Sequence, residues 1–148
     1  QNIIRSPAAM KKNLVLVAML SLALTGCVNR EQADVKLGNA CKAAVNEFLG
    51  DGMQIDRIES IDSSPSPVGN GYRHVTLHTI TVDGWLEEKN QYECTFEESF
   101  GFMKMGYTAS FYQLRIGEQM IGKSGNDIVG SAQDFMKITD AVREALYE

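Results

Sequence analysis

The chain has 148 residues, 44% hydrophobic and 22% charged. Nineteen acids against fourteen bases give a net charge of −5, which excludes a basic nucleic-acid-binding surface as the main feature. The length suits one domain with a single core.

Gln1 to Ala9 precede a plausible start methionine, Met10, and are set aside as upstream read-through or a cloning remnant. Lys11 and Lys12 form a positive n-region. Leu14 to Leu24 is an apolar run, too short to cross a hydrocarbon core of roughly 30 Å as a helix. Leu24-Thr25-Gly26-Cys27 follows. This order of charge, apolar run and cleavage box resembles the bacterial lipoproteins. The resemblance covers only these residues. It implies that residues 10–26 are a signal peptide removed before Cys27. It also implies a diacylglycerol on the Cys27 thiol and a third acyl chain on the new amino terminus. At about 0.8 kcal/mol per buried methylene, several long chains anchor a protein firmly. Val28, where an Asp would resemble an inner-membrane retention signal of enteric bacteria, implies the periplasmic face of the outer membrane.

Beyond the cleavage point, 11 bases oppose 19 acids, a net charge of −8. That surface argues against nucleic acid and permits a basic protein partner. Residues 27–33 read as a lipidated tether, and 34–148 as a single globular periplasmic domain. With Cys27 lipidated, Cys41 and Cys94 remain, and an oxidising compartment makes them a disulfide.

Asn29 and Gln32 have capping-box spacing, and Asp34 is a later N-cap candidate. Leu37, Cys41, Ala44, Val45 and Phe48 form the apolar stripe of a first helix, which Gly50-Asp51-Gly52 ends. Gln54 to Asp62 carries Ile55, Ile58 and Ile61 at a spacing that fits helix as well as strand, and reads as a strand because the run is short and glycine-bounded; Ser63 to Gly71 reads as a loop. Tyr72 to Val82 is rich in Thr, Val and Ile and reads as the best strand. Asp83-Gly84 signals a two-residue hairpin turn, with Trp85 to Phe96 returning. That turn places Val82 opposite Trp85 and Val75 opposite Tyr92. It puts Cys94 and Phe96 on the covered face and His74 and His78 on the open one. Arg73 then falls on the covered face, a tension for a bulge or a sheet end to resolve. Glu98 to Gly106 reads as a loop and Tyr107 to Ile116 as the last long strand. A final helix begins near Ser124 or Asn126, with Ile128, Ala132, Phe135, Thr139, Val142 and Leu146 as its stripe. The order α-β-β-β-β-α predicts an α+β fold, a four-stranded antiparallel sheet with both helices on one face.

Gly117-Glu118-Gln119-Met120-Ile121-Gly122-Lys123-Ser124 matches G-x-x-x-x-G-K-[ST], so Gly117, Gly122, Lys123 and Ser124 are phosphate-loop candidates. The context opposes them. A working loop feeds a parallel sheet with a later strand bearing a Mg²⁺-binding Asp, and only one helix follows here. Asp127 also puts an acid where a phosphate needs the helix N-terminus bare. His74 and His78 stand about 13 Å apart on one strand at ~3.3 Å per residue, too far to share a zinc. Glu87, Glu88, Glu93, Glu97 and Glu98 lack the Asp-rich spacing of a Ca²⁺ loop. No catalytic residue, metal site or cofactor is assigned.

Phe100, Phe102, Met103 and Met105 crowd one loop. They either close an end of the core or form an adaptable docking surface. The expected function is a lipid-anchored, non-enzymatic envelope protein that binds another, basic protein. The rivals are a nucleotide- or phosphate-binding enzyme built on Lys123, and an inhibitor of a secreted basic enzyme. The acidic charge and Tyr92-Glu93-Cys94 faintly resemble membrane-bound lysozyme inhibitors, whose small β-barrels lack these helices.

Overall fold

The computed structural model describes residues 28–147. Residues 1–27, on which the expected upstream remnant, signal peptide and lipidated Cys27 fall, lie outside the described residues. The elements are α1 (Arg30–Leu49), β1 (Gln54–Pro65), β2 (Tyr72–Asp83), β3 (Leu86–Phe100), β4 (Tyr107–Ile116), β5 (Gln119–Ser124), β6 (Asp127–Val129) and α2 (Ala132–Tyr147). The fold is α+β, with the six strands in one antiparallel sheet in chain order. The sheet has six strands rather than the four expected, because the glycine-rich stretch after Ile116 forms β5 and β6.

Helix α1 starts from the Asn29 capping box. The Asn29 Oδ1 accepts from the Gln32 backbone N–H at 2.8 Å, and Gln32 Oε1 accepts from the Asn29 N–H at 3.3 Å. The helix therefore starts four residues ahead of the expected domain boundary at Asp34, and only Val28 and Asn29 precede it among the described residues. Gly50 ends the helix at φ +65°, a left-handed value that favours glycine. Leu37, Cys41, Ala44 and Val45 are buried, and Phe48 packs at the margin. Cys41 and Cys94 form a disulfide, with S–S 2.03 Å and Cα–Cα 5.7 Å, that ties α1 to the middle of β3.

The β2–β3 turn is Gly84-Trp85, closed by Asp83 opposite Leu86, rather than Asp83-Gly84. Val75 therefore faces Cys94 instead of Tyr92, and Leu77 faces Tyr92. The register slides by two residues, so every side chain keeps its expected face. Trp85 does not: it leaves the sheet and sits in the turn. The positive φ of 64° at Gly84 is what permits the tight connection. At the far end of the covered face, Asn90 Nδ2 donates to Thr81 Oγ1 at 2.6 Å and Thr79 Oγ1 donates to the Asn90 carbonyl at 3.2 Å.

Helix α2 begins after Ser131, not near Ser124 or Asn126. The Ser131 Oγ accepts from the Asp134 N–H at 3.3 Å. Its buried stripe is Ile138, Val142 and Leu146, with Phe135 half-buried. Ile128, expected on this stripe, lies instead in β6 and is exposed. One core cluster joins Leu37 and Val45 of α1, Ile138 and Val142 of α2, and Val75, Tyr92, Phe96 and Leu114 of the sheet. Phe111 and Phe135 meet in it at 5.7 Å between ring centres.

Candidate functional site

The end of the sheet nearest Val28 is fastened by an ionic network. Arg73 lies on the covered face, where a lone charge is costly, and Asp34 of α1 meets it. The Arg73 Nε and Nη2 donate to the two Asp34 oxygens at 3.1 and 2.9 Å. This fork resolves the tension of an arginine on the apolar face. Arg30 binds Asp34 at 2.7 Å and also donates from Nη2 to Glu98 Oε2 at 2.9 Å. The Tyr107 hydroxyl donates to the same Glu98 oxygen at 2.6 Å. The Glu98 side chain is only 9% exposed, so Arg30 and Tyr107 supply what water does not. Burial, and then Glu98, push the Tyr107 phenol well above its ordinary value. Hydrogen bonding to Glu98 holds the Arg30 guanidinium above its ordinary value. Glu98 thus belongs to β3 and not to the loop expected to start there.

The loop itself is Gly101–Gly106. A tight turn gives it shape: the Gly101 N–H donates to the Gly106 carbonyl at 2.6 Å, Lys104 N–H to Gly101 at 2.9 Å, and Met105 N–H to Phe102 at 3.0 Å. Met103 and Lys104 adopt left-handed φ of 53° and 61°. Such values cost of order 1 kcal/mol or more per non-glycine residue. A side chain at Gly101 would lie 2.0 Å from the Met105 carbonyl, so only glycine closes the turn. Phe100 is half-buried, its ring centre 5.0 Å from that of Tyr107 at a 51° tilt and under the Arg30 guanidinium at 5.4 Å. Phe102, Met103 and Met105 are 87%, 76% and 58% exposed. Of the two readings open for these four residues, only Phe100 joins the packed end of the sheet, and the other three stand in solvent. Val28, Asn29, Arg30, Phe100, Met103 and Lys104 line one hollow of about 350 Å³.

At the opposite end of β3 is an apolar tip that sequence reasoning missed. Trp85 is 88% exposed in its turn, with half-exposed Leu86 beside it. Asp83, Glu87 and Glu88 flank it and are exposed, and residues 83–88 contain no base. The signal was present: moving the two-residue turn one place along the chain takes the only tryptophan out of the sheet. A strand of 15 residues at ~3.3 Å per residue separates the two tips by up to about 45 Å.

The phosphate-loop candidates form no phosphate-cradling loop. Gly117 and Glu118 make the β4–β5 turn, and Gln119–Ser124 is strand. Gly122 is required by packing, since a side chain there would lie 2.3 Å from the Tyr112 carbonyl. Lys123 reaches over the Phe135 ring at 6.0 Å. His74 lies 3.6 Å from Glu93 and His78 lies 3.2 Å from Asp62, on the open sheet face. Among the described residues no three His, Cys, Asp or Glu side chains converge as metal ligands. A groove of about 540 Å³ runs between α1 and the edge strand β1, lined by Val35, Gly38, Asn39, Ile61 and Ser63. Two bulges and the charges of Asp56, Arg57, Glu59 and Asp62 disfavour strand addition along that edge.

No helix among the described residues is long and apolar enough to cross a membrane. No family model, curated protein or solved structure matches the chain.

Proposed function

We propose that the protein is a lipid-anchored envelope module, held on the periplasmic face of the outer membrane by acyl chains on Cys27, that works by binding a basic protein rather than by catalysis. The observation that carries the binding reading is the Gly84-Trp85 turn. A large rigid aromatic is held out of the core at the end of the sheet farthest from the tether, beside the exposed acids Asp83, Glu87 and Glu88, of which Glu87 meets Arg57 at 3.9 Å. Tryptophan is the side chain most often found as a binding anchor, because it offers large contact area at small entropic cost. The acids around it favour a basic partner in encounter and choice. An inhibitor of a secreted basic enzyme is a particular form of this reading. Lys123 and Ser124, on which a nucleotide-binding enzyme would depend, lie on a strand with the lysine spread over Phe135, and this removes the main support for that rival.

Co-purification from envelope extracts of the parent and of a Trp85→Ser variant tests the reading. A fully exposed turn residue contributes little to folding, so the variant should melt within about a degree or two of the parent. It should lose the basic protein that the parent retains, and raised salt should weaken the parent's retention. A parent that retains no protein, or a Trp85→Ser variant that retains the same protein equally well, contradicts it.

A further inference from the structure

We infer that the Gly101–Gly106 turn is a membrane-contact loop: Phe102, Met103 and Met105 enter the lipid surface beside Cys27, with Lys104 among the headgroups. This rests on Cys27 carrying acyl chains and goes on to assign a second, non-covalent contact with the same bilayer.

The first argument is the length of chain between anchor and fold. Cys27 is one peptide unit ahead of Val28, about 3.8 Å from Cα to Cα. Val28 shares its hollow with Met103 and Lys104, and α1 begins two residues later. There is no slack to lift the domain from the surface. Acyl chains on Cys27 would leave the protein next to the turn.

The second argument is the character of the turn. Three large apolar side chains are exposed together within four residues, on a backbone that holds two left-handed non-glycine residues. The three cross-turn hydrogen bonds satisfy N–H groups that would otherwise enter the lipid unpaired. Methionine and phenylalanine are at home at the boundary of headgroups and acyl chains.

The third argument is charge. Lys104 is the only charged residue of the turn. Glu98 behind it is occupied by Arg30 and Tyr107. Glu97 on β3 and Glu31 on the first turn of α1 are the exposed acids nearest along the chain, and they limit how deeply this end enters an anionic surface. The distal turn, by contrast, carries Asp83, Glu87 and Glu88 and no base of its own, with Arg57 of β1 meeting Glu87 at 3.9 Å. One end suits lipid headgroups and the other a basic protein. Two contacts, covalent and non-covalent, stand β3 away from the membrane and hold Trp85 out toward a partner.

Fluorescence of the full acylated protein in vesicles decides the matter. The vesicles contain phosphatidylethanolamine and phosphatidylglycerol, with and without brominated acyl chains, which quench an indole only on contact. The parent reports from Trp85. A Trp85→Phe/Phe102→Trp variant and a Trp85→Phe/Met105→Trp variant report from the turn. Both replaced turn residues are exposed, and a melting curve of each confirms its fold. The turn indoles should lose most of their emission in brominated vesicles and shift to shorter wavelength, while the parent keeps its emission. A protein that floats with the vesicles but keeps its turn emission overturns the membrane-contact loop and leaves the anchor standing. If that emission changes only when an envelope protein is added, the turn is a protein-docking site and the inference is again overturned. A chain that does not float with the vesicles overturns the anchor and the inference together.

Discussion

Arg73 shows how a single residue reads differently in sequence and in space. Alternation puts it on the covered face, and the sheet does place it there. Its partner Asp34 sits 39 positions earlier, on a helix whose rotation over the sheet no local pattern supplies. The same holds for Glu98, which reads as a loop residue until Arg30 and Tyr107 are brought to it. Capping by Asn29 and Gln32 was legible, because both partners are within one turn. The Tyr107 phenol supplies a pH prediction. Burial, then its hydrogen bond to Glu98, raise the pH at which it ionises in the folded state, and burial does the same for Tyr92. An unfolded tyrosine ionises near ~10. Above that pH the unfolded chain holds fewer protons than the folded one, so stability is intact below about pH 10 and falls as pH rises beyond it. Tyr107→Phe should lower stability at neutral pH by roughly 1 kcal/mol through the lost hydrogen bond, and should flatten part of the alkaline fall. Urea midpoints between about pH 8 and 11 measure both effects, and an alkaline fall identical in parent and variant would exclude Tyr107 as a source.

Among the elements, α1 was legible through its apolar stripe, β2 through its run of Thr, Val and Ile, and β3 through the turn signal before it, whereas β1 was legible only as a short, glycine-bounded run, since Ile55, Ile58 and Ile61 recur every three residues. Helix α2 was legible as a helix but not in its start. Ser124 with Asp127 and Ser131 with Asp134 offer the same capping-box spacing twice. The second is used, because Ile128 and Val129 are β-branched and Gly130 adopts φ +80°. Strands β5 and β6 were missed since glycines interrupt them and β6 has three exposed residues. Gly122 explains the motif that pointed toward phosphate. Its φ is +137° and the β4 backbone occupies the place of a side chain. Gly122→Ala should therefore destabilise by roughly 2 kcal/mol or more, through a forced shift of β5 against β4. A variant of parental stability would show that the close approach is not needed. The disulfide was legible by cysteine arithmetic, and it fixes which face α1 covers. It spans 53 positions, for which loop-closure entropy suggests roughly 3–5 kcal/mol. The Cys41→Ser/Cys94→Ser pair should lose about that much in urea unfolding, and a loss below about 1 kcal/mol would contradict the assignment of stability to this link.

For the whole molecule, what matters is polarity along β3. An apolar turn with one lysine stands beside the chain's entry into the fold, and an acidic turn with an exposed tryptophan stands up to about 45 Å away by strand length. Neither tip was visible from composition alone, since net charge averages over both ends. If Cys27 is lipidated, as the resemblance of Leu24-Thr25-Gly26-Cys27 to bacterial lipoproteins implies, this axis has a direction relative to a membrane. The intact mass of the protein extracted from its own membranes therefore tests the proposal most directly. A chain beginning at Cys27, lacking residues 1–26 and carrying diacylglycerol plus an amide-linked acyl chain on that cysteine, is the predicted result. A chain that keeps residues 10–26, or one whose Cys27 is unmodified, would contradict it.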